Sequence, residues 1–161
     1  SRVRARRGRY GFRRAGAAGL KRTVHAGESS GPEGVRDAIE LLRADRIDHG
    51  VRAIEDPHVV ALLADRRIAL GVCPTSNLKL GVVPSIERHP IERLRQAGVA
   101  VSVNTDDPAL LDTSLVREYA LCRDTFEWSD ADVWSVARTS IDASFANDDV
   151  KTRLREALGR W

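Results

Sequence analysis

Apolar residues in this chain fall in short runs that alternate with helically spaced stripes, and a polar cluster closes each run. The runs Arg22–Ala26, Arg46–Asp48, Ile68–Cys73 and Val99–Val103 predict four strands. The third is apolar at successive positions, as expected of a strand covered on both faces of a parallel sheet. Behind Gly31-Pro32-Glu33, Val35, Ile39 and Leu42 recur at helical spacing, with Pro at a tolerated first-turn position. Asp56-Pro57 opens a second helix, where Asp56 is a good N-cap and Val59, Val60, Leu62 and Leu63 supply the apolar face. A loop is expected from Pro74 to about Ser85, then a helix over Pro90–Ala97 that Gly98 ends. Beyond Pro108 the pattern is helical: about Asp112–Phe126, Ser129–Ile141 and Asn147–Leu158. Ser129 with Asp132 has the spacing of a capping box.

Four strands alternating with helices predict an α/β fold of parallel strand-helix repeats. An open doubly wound sheet and a (β/α)8 TIM-type barrel both fit. The barrel is favoured because every candidate functional residue lies at the C-terminal end of a strand, where barrel enzymes place their chemistry. A whole barrel has eight strands in about 250 residues, and this chain has 161 residues.

Charge divides the chain. Residues 1–22 hold nine basic residues and no acid, whereas the remainder holds 17 basic and 23 acidic residues. A basic arm binds phosphates, but Tyr10 and Phe12 alone make no stacking platform. A solvated leader is therefore favoured over a nucleic-acid arm. No apolar stretch approaches the roughly 18 residues of a membrane span. Cys73 and Cys122 lack zinc-ligand spacing and read as buried thiols, which predicts a cytoplasmic protein.

The polar clusters carry the chemistry. Val24-His25-Ala26-Gly27-Glu28 places an imidazole, able to bind metal, three residues from a carboxyl able to move protons. Its plainer reading is a structural histidine followed by a helix-start acid. Arg46-Ile47-Asp48-His49-Gly50 ends the second strand in another imidazole, with Asp48 either orienting it or lying at the surface. Val72-Cys73-Pro74-Thr75-Ser76-Asn77 either lines a pocket or forms a turn. Val103-Asn104-Thr105-Asp106-Asp107-Pro108 is the strongest signal, since two carboxylates at the end of an apolar strand are costly unless a cation or donor satisfies them. Its alternative is an ordinary helix cap. His58 and His89 lie away from the strand ends and read as surface or packing residues.

In sequence and order, these four segments resemble the motifs of the adenosine/AMP deaminase family, a zinc-dependent branch of the amidohydrolase barrels. The likeness runs from about Gly19 to the C-terminus. It implies strands five to eight of the barrel, ending in extra helices, and hydrolytic deamination of an aminopurine, adenosine to inosine plus ammonia. Adenine and aminodeoxyfutalosine are alternative substrates. By the resemblance, His25 and Asp106 are zinc ligands, Glu28 gives a proton to purine N1, and His49 orients or deprotonates the water. Asp106 also contacts that water, and Gly27 and Asp107 contact substrate, Asp107 at N7. The family's first strand adds a His-x-His pair that has no counterpart here. His25 and Asp106 alone would hold zinc poorly, since catalytic sites usually have three protein ligands.

Residues 1–18, with seven arginines in the first 14 positions, are expected to be a disordered or non-native head from a truncated or frame-shifted start. Residues 19–161 are the expected partial barrel domain. Its two unpaired sheet edges predict self-association. The reading from another class is a non-catalytic scaffold whose basic head associates with nucleic acid.

Overall fold

Each apolar run becomes a strand, and each strand pairs with the next one in sequence. The computed structural model describes residues 2–160, with side chains from Gly8 onward. Strands β1 (Thr23–Ala26), β2 (Arg46–His49), β3 (Ala69–Val72) and β4 (Val101–Val103) form one sheet in that order. All three pairings are parallel, with His25 opposite Asp48, Ala26 opposite His49 and Val72 opposite Val103. This register aligns the C-terminal ends of the strands, so the four polar clusters emerge along one rim.

Helices α2 (Pro32–Glu40), α3 (Pro57–Asp65) and α5 (Ile91–Gln96) fill the crossovers. Their buried residues Val35, Ile39, Val59, Leu63, Ile91 and Leu94 pack with Ile47, Leu70 and Val101 from the sheet. Strands β3 and β4 are buried at every position, while β1 is exposed at Thr23 and His25. β1 and β4 are the edges of the sheet, each with one neighbour among the described residues. Helices α6 (Leu115–Phe126), α7 (Asp130–Ala143) and α8 (Asp148–Gly159) follow. The Ser129–Asp132 capping box forms in both directions at the start of α7. No helix among the described residues is long and apolar enough to cross a membrane.

Two segments differ from the sequence expectation. Residues 2–17 form helix α1, where a disordered head was expected. Gly8, Phe12, Ala15 and Gly16 share the less exposed face, at helical spacing. A Cβ at Gly8 would lie 4.0 Å from Leu42, so the face sits against the end of α2. The arginines that dominate the composition leave this narrow stripe of glycine, alanine and one phenylalanine for packing. The expected loop after Pro74 begins instead with the short helix α4 (Pro74–Lys79). The Thr75 N–H donates to Glu118 Oε2 of α6 at 3.0 Å. A carboxylate 43 residues away thus satisfies a helix-start donor, which no local pattern encodes.

Candidate active site

The strand ends are tight because their backbones are bent there. His49 and Asp106 both adopt left-handed backbone angles, φ 65° and 60°, a region that costs a residue bearing a Cβ about 1–3 kcal/mol. Gly27 also has φ 69°, and a Cβ there would lie 2.5 Å from Val35 and 3.0 Å from the Gly50 backbone. Only glycine lets β1 and β2 finish this close together.

Those bends bring the expected residues to one place. Donor atoms of Glu28, His49 and Asp106 lie within 4.8 Å of one another. The His25 ring stands 5.2 Å from the His49 ring, centroid to centroid. His25, His49 and Asp106 line a cleft of about 400 Å³ with Asp48, Gly71, Cys73 and Asn104. The His25 side chain is 68% exposed, and its Nδ1 lies 3.7 Å from Asp48 Oδ2. Asp48 Oδ2 also accepts a hydrogen bond from Thr23 Oγ1 at 3.0 Å. Asp106 is exposed, and Ser76 Oγ donates to its Oδ2 at 2.6 Å.

His49 is the buried member of the group. Its Nδ1 is 3.3 Å from Glu28 Oε1, yet that oxygen is buried and makes no hydrogen bond. Asn77 Nδ2 lies 3.3 Å from the same Nδ1. The carboxylates suit a cation: oxygens of Glu28 and Asp106 converge beside a buried Glu28 oxygen that lacks a donor, and the His25 imidazole lines the same cleft as Asp106. His25 extends the set along the rim.

Two sequence-predicted residues are engaged elsewhere. Gly27 N–H donates to Ser30 Oγ at 3.2 Å. Asp107 Oδ1 accepts from Leu110 N–H at 3.3 Å, so it holds the turn after β4 while remaining exposed. Cys73 lines the cleft, but burial, followed by the nearby Asp106, Asp48 and Glu118 carboxylates, pushes its thiol up to about 12. It is therefore no thiolate nucleophile at neutral pH.

Sequence reasoning missed the layer behind the site. His89 is 2% exposed and fully engaged. Its Nε2 lies 3.1 Å from Asn77 Oδ1, and its Nδ1 accepts from Ile91 N–H at 3.1 Å. Glu118, also buried, accepts from Thr113 Oγ1 at 2.6 Å as well as from Thr75. His89 sits just before Pro90, a position whose only sequence signal is a histidine at the start of a short amphipathic helix.

A parallel four-stranded sheet with its polar groups gathered at the C-terminal strand ends has the arrangement of half a (β/α)8 barrel. The family model described as adenosine deaminase matches residues 2–161. The chain belongs to the adenosine deaminase family. It is 45% identical over 142 residues to an adenine deaminase of Agrobacterium fabrum, covering 88% of this chain and 44% of that protein. Among solved structures it resembles an adenine deaminase from Arthrobacter aurescens, with a TM-score of 0.91 and 35% identity over 95% of this chain and 47% of the other. An amidohydrolase from Burkholderia ambifaria solved with bound zinc gives a TM-score of 0.86 and 32% identity, over 94% and 43% of the two chains. The chain thus spans less than half the length of these relatives. The family model's match includes the arginine-rich helix that the sequence reading set apart.

Proposed function

We propose that this chain carries the C-terminal half of the active site of a zinc-dependent adenine deaminase, which replaces the 6-amino group of adenine with the oxygen of water and releases ammonia. The observation that carries the reading is the convergence of Glu28, His49 and Asp106 within 4.8 Å at the strand ends. The names of the relatives favour adenine over adenosine as substrate.

In this reading His25 and Asp106 would hold the zinc. When bound, the metal supplies an acidified water, with its pKa lowered to about 7. Glu28 delivers a proton to N1 of the ring, which makes C6 electrophilic. His49, held behind the rim, orients the attacking water. Asp107 gives up its Leu110 bond to contact the base, and Gly27 lets the ring lie close to the backbone. The sheet edges β1 and β4 are where the remaining barrel strands would pair.

The test combines zinc titration by calorimetry with ammonia release from adenine and adenosine. Both are run on the chain alone and after addition of the N-terminal half of a relative. Zinc binding weakened at least tenfold by Asp106→Asn, and turnover of adenine but not adenosine on mixing, are expected. Glu28→Gln should stop turnover and leave zinc bound. Zinc affinity indifferent to Asp106, or full activity of the Glu28 variant, removes the corresponding role.

A further inference from the structure

The buried chain Ile91, His89, Asn77 and His49 fixes more than position. It begins at a donor that cannot rotate, the Ile91 backbone N–H, which points at His89 Nδ1. That nitrogen must therefore present a lone pair, and a neutral His89 carries its hydrogen on Nε2. His89 is neutral at pH 7, because burial pulls its pKa from 6.5 down to about 4. The Nε2–H then donates to Asn77 Oδ1 at 3.1 Å, which settles the direction of the Asn77 amide. Its NH2 faces His49 Nδ1 at 3.3 Å. A hydrogen on His49 Nδ1 would meet another donor. Glu28 Oε1, the other neighbour of that nitrogen, makes no hydrogen bond to it.

We propose that His89 is a positioning residue which, acting through Asn77, keeps the hydrogen of His49 on Nε2. His49 then meets any ligand at Nε2 as a hydrogen-bond donor, and no free base is presented there. The meaning for catalysis rests on the deaminase reading above: His49 would orient the water by donating to it and would not remove its proton. The proton setting itself requires neither metal nor substrate.

The experiment is long-range ¹H–¹⁵N correlation spectroscopy on the uniformly ¹⁵N-labelled full chain at pH 7, without metal or purine. The four histidines are assigned by single substitution. His49 and His89 should both give the Nε2–H pattern. In Asn77→Asp the carboxylate accepts where the amide donated, and the hydrogen should move to His49 Nδ1. In His89→Phe the Asn77 amide is released, and the single His49 tautomer should be lost. In His89→Gln it should persist, since that amide can accept from Ile91 and donate to Asn77. An Nδ1–H tautomer of His49 in the wild-type chain overturns the proposal, and so does a wild-type pattern in a folded His89→Phe protein. The wild-type spectrum decides even if that variant does not fold. The Nε2–H pattern in the chain, with no turnover after the N-terminal half of a relative is added, would count against the deaminase reading alone.

Discussion

Acidifying the protein should expose the cost of the buried His89. Its imidazole titrates near 6.5 when the chain is unfolded and near 4 when folded, because burial disfavours the charged ring. The unfolded chain therefore binds more protons between these two values, and stability falls as the pH drops through that window. The stabilisation is complete above about pH 6.5 and is lost progressively toward pH 4. The full difference is worth about 3 kcal/mol, of which about 2 should be lost between pH 7 and pH 4.5. The assay is urea unfolding followed by tryptophan fluorescence at both pH values, on the wild-type chain and on His89→Gln. Glutamine can keep the bonds to Ile91 and Asn77 and has no proton to gain. Carboxylates such as Asp45, whose pKa is lowered by the Arg22 side chain bonded to it, lose their stabilisation at the acid end of the window in both proteins and cancel in the difference. The wild-type chain should lose about 2 kcal/mol more than the variant. Equal losses would refute the assignment of His89 as a buried neutral histidine.

Other consequences concern single residues. Glu118→Ala leaves the Thr75 N–H and the Thr113 hydroxyl without their acceptor and should cost about 2 kcal/mol in urea unfolding; an unchanged midpoint would remove Glu118 as the cap of α4. Gly27→Ala forces a Cβ into a left-handed backbone 2.5 Å from Val35 and should lower stability by about 2 kcal/mol or more, which a thermal melt would register. Cys73 and Cys122 are both pushed up to about 12, chiefly by burial, so neither should react with a thiol-specific reagent at pH 8 until denaturant is added. Rapid labelling of the native chain would contradict their burial.

The parts of the fold legible in the sequence are those set by local periodicity. The β1 to β4 runs, the Pro-led helices and the Ser129 capping box follow from side chains within a few positions of one another. The strand-end residues His25, Glu28, His49 and Asp106 were legible because each closes an apolar run, and a parallel register carries all such ends to one rim. Helix α4 was not legible, since its cap comes from Glu118 on α6. Nor was the role of His89, whose partners are a side chain 12 positions earlier and a backbone N–H two positions later. Asp107 shows the opposite limit. A carboxylate in a suggestive motif also holds its own turn, and sequence cannot tell which bond it makes in the absence of substrate.

The site is unevenly finished, and the unevenness follows the sheet. The residues proposed to act on the water and the base are set from behind: His49 is buried and bonded into the core, and Glu28 stands against it. The proposed metal donors lie at the edges, His25 on β1 and Asp106 just beyond β4, and both are exposed. These are the two strands beside which further barrel strands would pair. Metal capture and closure of the barrel are then linked, because each would order the same two strand ends. By thermodynamic reciprocity, the factor by which zinc tightens association of this chain with a complementary half must equal the factor by which that half tightens zinc. Calorimetry of the mixture with and without zinc measures both sides of the cycle. Association indifferent to zinc would mean that His25 and Asp106 do not share a metal with the other half, and the edge assignment would fall while the buried His49 network stood.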